Sequence, residues 1–506
     1  AGTGQIAIGH NALTAMNSGN GGNGAIGYQA ASSLTSGVQN TIYGYHGAKD
    51  ITTGSYNVVM GYAALDAADG GESNNISIGT NSMGAINHDD SDHNVAIGDG
   101  ALFGGTGTVT KNISIGTNTM SQMGNSNQTG TVAIGYTALY DLTTGAYNVS
   151  IGYQSLKSLT TGSSNVALGY GALQEHLTGH RNIAIGAYAI GDTNAGTNAQ
   201  DSDNNIFIGY YSGGGAWANT KSENNVAIGN YTMDSALDGA NNNIAVGHEA
   251  LSANTTADGN IAIGYQSMLA QTTGGYNITL GHQAGLALDG GHSNIIIGFQ
   301  AGDAMVSVDA CVLIGYAAGG AINHADADGT TIVGYISGAS ITSGGKNTIF
   351  GYQSGNAITT GSENTIVGYD CDVASDDNTN NVIIGNNLTA TDKDNAVFIG
   401  NNTNHIENDF NTDATWNYSS DERQKRDIKD DTLGLDFIND LRPVTYKHKS
   451  PSEFPKEWSA YDADDKEPMG GDKTIHGLIA QEVKEALDNQ NVDTFGGWSV
   501  GDDGRQ

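Results

Sequence analysis

The segment Ser420-Asp421-Glu422-Arg423-Gln424-Lys425 sets a nucleophile near a base. A serine hydroxyl attacks poorly unless a neighbour removes its proton. Lysine can be that neighbour when desolvation or adjacent cations lower its pKa, and Arg423 and Arg426 flank this one in sequence. Serine–lysine pairs are a variant of the hydrolytic triad. Spacing alone, however, does not separate such a pair from a solvated serine that happens to precede a lysine.

Oxygen ligands form a second group. Ile86-Asn87-His88-Asp89-Asp90-Ser91-Asp92 and Ile322-Asn323-His324-Ala325-Asp326-Ala327-Asp328 carry the same phrase. Closely spaced carboxylates supply the hard donors that calcium takes, so Asp89, Asp90, Asp92, Asp326 and Asp328 are candidate cation ligands. EF-hand spacing and the RTX nonapeptide are both absent. Solvated polar loops are therefore the competing reading, and no cofactor is called for beyond a structural cation. Tyrosine follows a recurring glycine in 12 places, among them Tyr28, Tyr136, Tyr153, Tyr265 and Tyr352. Stacked, these rings could grip sugar faces or simply line a corner. Histidine takes the same position at His10, His248 and His282, which suits a corner better than a metal site.

The elements that must position these residues come from a repeat. A phrase like Asn182-Ile183-Ala184-Ile185-Gly186 recurs 23 times between Gly9 and Gly400, most often 17 residues apart. A fixed period of this kind marks a solenoid of stacked coils. Within the phrase, large apolar residues flank a middle one that is usually small, the alternation of a β-strand. The large pair is expected to fill the coil (Ile183 and Ile185, Val149 and Ile151) and the small position to meet a partner chain. A second strand is expected over Tyr-x-Ala-Leu, as at Tyr170-Gly171-Ala172-Leu173, with a return through Thr-Thr-Gly at Thr143-Thr144-Gly145. Asparagine opens 18 of the 23 phrases, which predicts a hydrogen-bonded ladder. At about 4.8 Å per coil the rod would reach roughly 110 Å. Where the period stretches, as between Gly186 and Gly209, polar inserts should form loops on one side.

Composition narrows the function. The net charge of -34 argues against nucleic-acid binding and suits a solvated rod. Two cysteines, Cys311 and Cys371, make no disulfide framework, and Cys311 stands where the repeat places asparagine, which favours a structural role. No apolar run approaches the roughly 18 residues of a membrane span, so no membrane insertion is expected. No secretory signal is visible, and the chain opens without methionine inside a repeat phrase, so it reads as a fragment or processed product.

Near residue 405 the grammar changes. All four prolines lie beyond it, with 12 of the 19 basic residues. The expected organisation is a rod over 1–400, a polar junction over 401–419 and a small domain over 420–506. In that domain short helices are expected over Leu433–Leu441 and Gln481–Leu487, and a strand over Val444-Thr445-Tyr446.

The repeats over 1–400 resemble the head domain of trimeric autotransporter adhesins, with their N-x-A-I-G phrase. That resemblance implies a mainly β fold, a left-handed parallel β-roll solenoid that is trimeric. The last domain resembles the endosialidase-type intramolecular chaperone and self-cleaving peptidase that ends many phage tail fibres. Ser420 to Ile428, Leu441-Arg442-Pro443-Val444-Thr445-Tyr446 and His476-Gly477-Leu478-Ile479-Ala480-Gln481-Glu482-Val483 carry it, in family order. It implies a small α+β chaperone domain, Ser420 as nucleophile, Lys425 as its base and Ser419–Ser420 as the scissile bond. The family normally continues into a long helical segment past the point where this chain stops, so efficient cleavage is not implied.

The expected protein is a homotrimeric bacteriophage tail fibre on the extracellular virion, binding other tail proteins and a host-surface glycan or protein receptor. Its catalysis would be one self-cleavage. A bacterial cell-surface trimeric adhesin is the alternative; a glycan-degrading tailspike would need paired carboxylates, and an ice-binding solenoid a regular threonine array.

Overall fold

The computed structural model describes residues 4–17, 21–193, 198–411, 434–456, 461, 463–466, 474–490 and 492. The chain divides into two units, Ala1–Trp416 and Asn417–Gln506.

In the first unit almost every phrase is a strand of three residues, such as Val166–Leu168. Each pairs in parallel with its counterpart one coil away, Val149 with Val166 and then Ile183, so like residues stack in columns. The result is one sheet of 24 strands, mainly β as the repeat predicts. Its last strand, His405–Asp409, returns antiparallel on Ala396–Gly400 inside the segment expected to be a plain junction. That strand covers a sheet edge that would otherwise offer unpaired amides.

The phrase glycine is a steric requirement. Gly152 has φ +145°, and a Cβ placed there would lie 2.2 Å from the carbonyl oxygen of Gly169 in the next coil. Only a residue without a side chain allows that approach. The asparagine ladder is present and buried. The Asn165 amide N–H donates to Asn148 Oδ1 at 2.9 Å, and Asn165 Oδ1 accepts from the Asn182 N–H at 2.9 Å. Each Nδ2 also satisfies a carbonyl in the next coil's return loop, Asn165 to Gly179 at 2.9 Å. Buried backbone groups at the corner thus find partners where no strand supplies them.

Two expectations are corrected. The middle residue of the phrase points into the coil: Ala167, Ala184, Phe207, Ile332 and Ile349 are fully buried. The large flanking residues point out, with Leu168 43% and Ile263 37% exposed. The physical reason is the width of the coil, whose interior behind the strand has a limited side-chain volume in each layer. Six residues beyond the middle position a second residue also points inward, and the two sizes compensate. Ala167 faces Leu173 and Ala262 faces Met268, all buried. At several coils where the middle is large the other is glycine: a Cβ on Gly355 would lie 2.5 Å from Ile349 Cδ1, and one on Gly338 2.6 Å from Ile332 Cδ1.

The Tyr-x-Ala-Leu segment is not a second strand. Its residues enter the left-handed region, with φ +59° at Gly171 and +50° at Leu173. Extended backbone would overshoot a coil this small, whereas left-handed residues curl it. Hydrogen bonds to the neighbouring coil, such as Leu173 N–H to Ala189 O at 3.0 Å, hold the turn against its conformational cost of about 1–2 kcal/mol per residue.

In the second unit a helix at Leu435–Asp440 packs on one at Ala480–Asn489 through Phe437, Ala486 and Leu487, with Leu441, Val483 and Val492 alongside. Val444–Tyr446 pairs antiparallel with Ile475–Gly477.

Candidate functional site

The second unit brings together two of the three motif blocks. Thr445 lies opposite His476 and Val444 opposite Gly477 in the short sheet. Helix packing then sets Arg442, just past the first helix, beside Glu482 in the first turn of the second. The guanidinium donates twice to that carboxylate, Nε to Oε2 at 3.2 Å and Nη2 to Oε1. A bidentate pair fixes orientation as well as attraction. Because Arg442 is exposed and Glu482 only half-buried, the pair adds little stability and mainly sets the register of the helices. Asp440, Arg442, Glu482, Glu485, Ala486 and Asn489 line a polar hollow of about 340 Å³ beside it.

Residues 420–491 match the family model described as the chaperone of endosialidase. The match begins at Ser420 and includes every block that carries the resemblance. Among curated proteins no relative of the chain is found. The chaperone domain follows a parallel β-solenoid, the arrangement of a tail-fibre-like protein. Ser419, Ser420 and Lys425 lie outside the described residues, so the nucleophile, its base and the scissile bond have no geometry here.

On the solenoid, the two carboxylate-bearing loops fold alike. Asp92 Oδ1 accepts from Ser73 N–H at 2.6 Å, and Asp328 Oδ1 from Asp309 N–H at 2.8 Å. His88 Nδ1 accepts from Asp90 N–H and His324 Nδ1 from Asp326 N–H, both at 3.2 Å. Asp92 and Asp328 are therefore engaged in holding the preceding coil. Asp90 and Asp326 fall in no three-carboxylate group among the described residues. Asp89 does: it joins Asp69 and Glu72, with one oxygen of each within 4.8 Å of the others. Burial pushes the Glu72 carboxyl above the usual range, and Asp89 and Asp69 push the same way against its backbone hydrogen bonds. Asp69 and Glu72 escape a reading by local phrase, because they belong to the preceding coil. The available signal was position: three residues before the corner asparagine, where Glu72 stands, Gly37, Gly54, Gly162 and Ser91 occur instead.

Most of the tyrosines stack face to face along the solenoid, although around Tyr210 the rings meet tilted or edge-on. Tyr136, Tyr153 and Tyr170 have centroids 5.3 and 5.0 Å apart, and Tyr316, Tyr335, Tyr352 and Tyr369 run on at 5.1 to 5.3 Å. Inside such a column each face is already covered, which removes the surface a sugar would need. The Tyr369 column ends where Asn386 takes the register. There Tyr369, Asp370, Asn387 and Asn401 to Asn404 surround a polar cleft of about 670 Å³.

Cys311 is buried, and burial pushes its thiol up to about 11, so it is inert as a nucleophile. Among the described residues no helix is long and apolar enough to cross a membrane.

Proposed function

We propose that the chain is a homotrimeric fibre of a bacteriophage virion, assembled by its C-terminal chaperone domain and turned toward the host surface. The observation that carries this reading is the outer face of the sheet. Ile261, Ile263, Ile278, Leu280, Ile295 and Ile297 continue as two aliphatic columns in register along the coils. A parallel sheet is normally covered on both faces. Here the inner face packs inside the coil, and the outer strip, on the order of 1,000 Å², exceeds the roughly 300–600 Å² patch of a typical monomer. Copies of the same chain supply a matching strip at every layer, and three sheets around one axis leave none open. Identical coils offer many wrong registers, and a chaperone at one end supplies a means of setting the right one.

The receptor, a glycan or protein of the host cell, would meet the polar inserts or the cleft at Tyr369, and other tail proteins would hold the fibre. Ser420, with Lys425 as base, would cut the Ser419–Ser420 bond once, releasing the chaperone and leaving the fibre kinetically trapped. Denaturing electrophoresis of the full-length chain should then show a fragment ending near Ser419 that vanishes in Ser420→Ala. A fragment that persists in that variant removes the dyad. Ile263→Lys with Leu280→Lys should leave folded single chains by light scattering; unchanged assembly would show that the columns are not the interface.

A further inference from the structure

We propose that Asp69, Glu72 and Asp89 bind one calcium ion that ties together two neighbouring coils at the point where the repeat lengthens. Three oxygens, one from each residue, lie within 4.8 Å of one another. Glu72 is fully buried, and its Oε1 has no hydrogen-bond partner, whereas Oε2 accepts from the Gly70 N–H at 3.1 Å. A carboxylate oxygen removed from water and left unpartnered is a rare and costly arrangement. None of the ion pairs among the described residues involves any of the three, so no described lysine or arginine pairs with them. A cation does so directly.

The backbone is shaped around the same spot. Asp89 Oδ1 accepts from the Gly71 N–H at 3.3 Å, and a Cβ on Gly70 would sit 1.5 Å from that oxygen. Glycine at 70 is thus what lets the Asp89 carboxylate from the next coil come in beside Glu72.

The sister loop provides an internal comparison. It has the same hydrogen bonds to His324 and Asp328 and the same bond at the corner, where Asn294 Nδ2 donates to Val308 O at 2.6 Å as Asn57 Nδ2 donates to Glu72 O at 2.8 Å. Counted from the corner residues, Met305, Val308 and Ala325 stand where the first site has Asp69, Glu72 and Asp89. The fold of the loop therefore does not require the carboxylates. All three appear together where an ion can sit and are replaced together by apolar residues where it cannot. Hard carboxylate oxygens on two separate coils suit calcium, whose shell is flexible and can be completed by carbonyls and water, better than magnesium, which demands a near-octahedral shell.

Calorimetric titration of chelator-treated full-length protein with CaCl₂ tests this. One calcium per chain is expected, with a dissociation constant on the order of 10⁻⁴–10⁻³ M or tighter, and a melting temperature that rises with calcium. Asp89→Asn, on the exposed side, and Glu72→Gln should each weaken binding about tenfold or more, while Asp326→Asn leaves it unchanged. Magnesium should bind about tenfold more weakly. Folded protein that shows neither heat nor a melting shift at about 5 mM calcium overturns the site, well above the range expected for extracellular modules. So does binding that survives Asp89→Asn, and equal affinity for magnesium overturns the assignment to calcium.

Discussion

Removing one rung of the asparagine ladder should open the solenoid locally and by a calculable amount. In Asn165→Ala two buried backbone groups lose their partners: the Asn182 N–H, which donates to Asn165 Oδ1, and the Gly179 carbonyl, which accepts from Asn165 Nδ2. Asn148 Oδ1 keeps the Asn165 backbone N–H. At about 1–3 kcal/mol for each orphaned group the loss is about 4 kcal/mol. Coils of a solenoid contact only their neighbours, so the effect stays local. Native-state hydrogen exchange resolves this where a single melting curve does not. The amides of Val166, Asn182 and Ile183 should exchange roughly a thousandfold faster, and those near Asn347 and Asn364 at their original rates. Asn165→Thr should recover part of the loss, because Thr330 at the same position donates to the Gly344 carbonyl at 3.3 Å. Protection unchanged to within tenfold, or a loss spread evenly over every coil, refutes the reasoning.

Two further predictions concern the coil interior. Gly355→Leu should destabilise by about 1–3 kcal/mol through overpacking on Ile349, and adding Ile349→Ala should restore much of it by recreating the Ala167–Leu173 pairing; thermal melting of the three proteins decides. His176 is fully buried and hydrogen-bonded near Asn182, and burial holds its pKa down to about 4. The unfolded chain therefore takes the proton first, so stability is lost as pH falls from 6.5 toward 4, by about 3 kcal/mol in all. Asp372 runs the other way: burial raises its carboxyl to about 6, so its contribution is lost as pH rises from 3.8 through 6. Hydrogen exchange at pH 4.5 and 7 should show opposite changes around the two residues; parallel changes would discount both.

Much of this architecture was legible in the chain. The period fixed the coils, glycine marked the corner where two backbones touch, and asparagine announced the ladder. The direction of the strand was not legible from alternation, which shows two faces without saying which is inside. The size exchange between positions six apart, Ala167 with Leu173 against Ile349 with Gly355, held that information, because only residues sharing a confined layer need to compensate in volume. The cation cluster stayed hidden for a related reason: Glu72 and Asp89 meet through stacking of coils, not through a local phrase.

The central claim is that the outward aliphatic columns are an interface between copies of the chain. Sedimentation equilibrium of the full-length protein tests it most directly. Three chains per particle, falling to one in the Ile263→Lys, Leu280→Lys variant with its β-structure intact, is the expected result. A folded, monodisperse monomer of the natural sequence contradicts it.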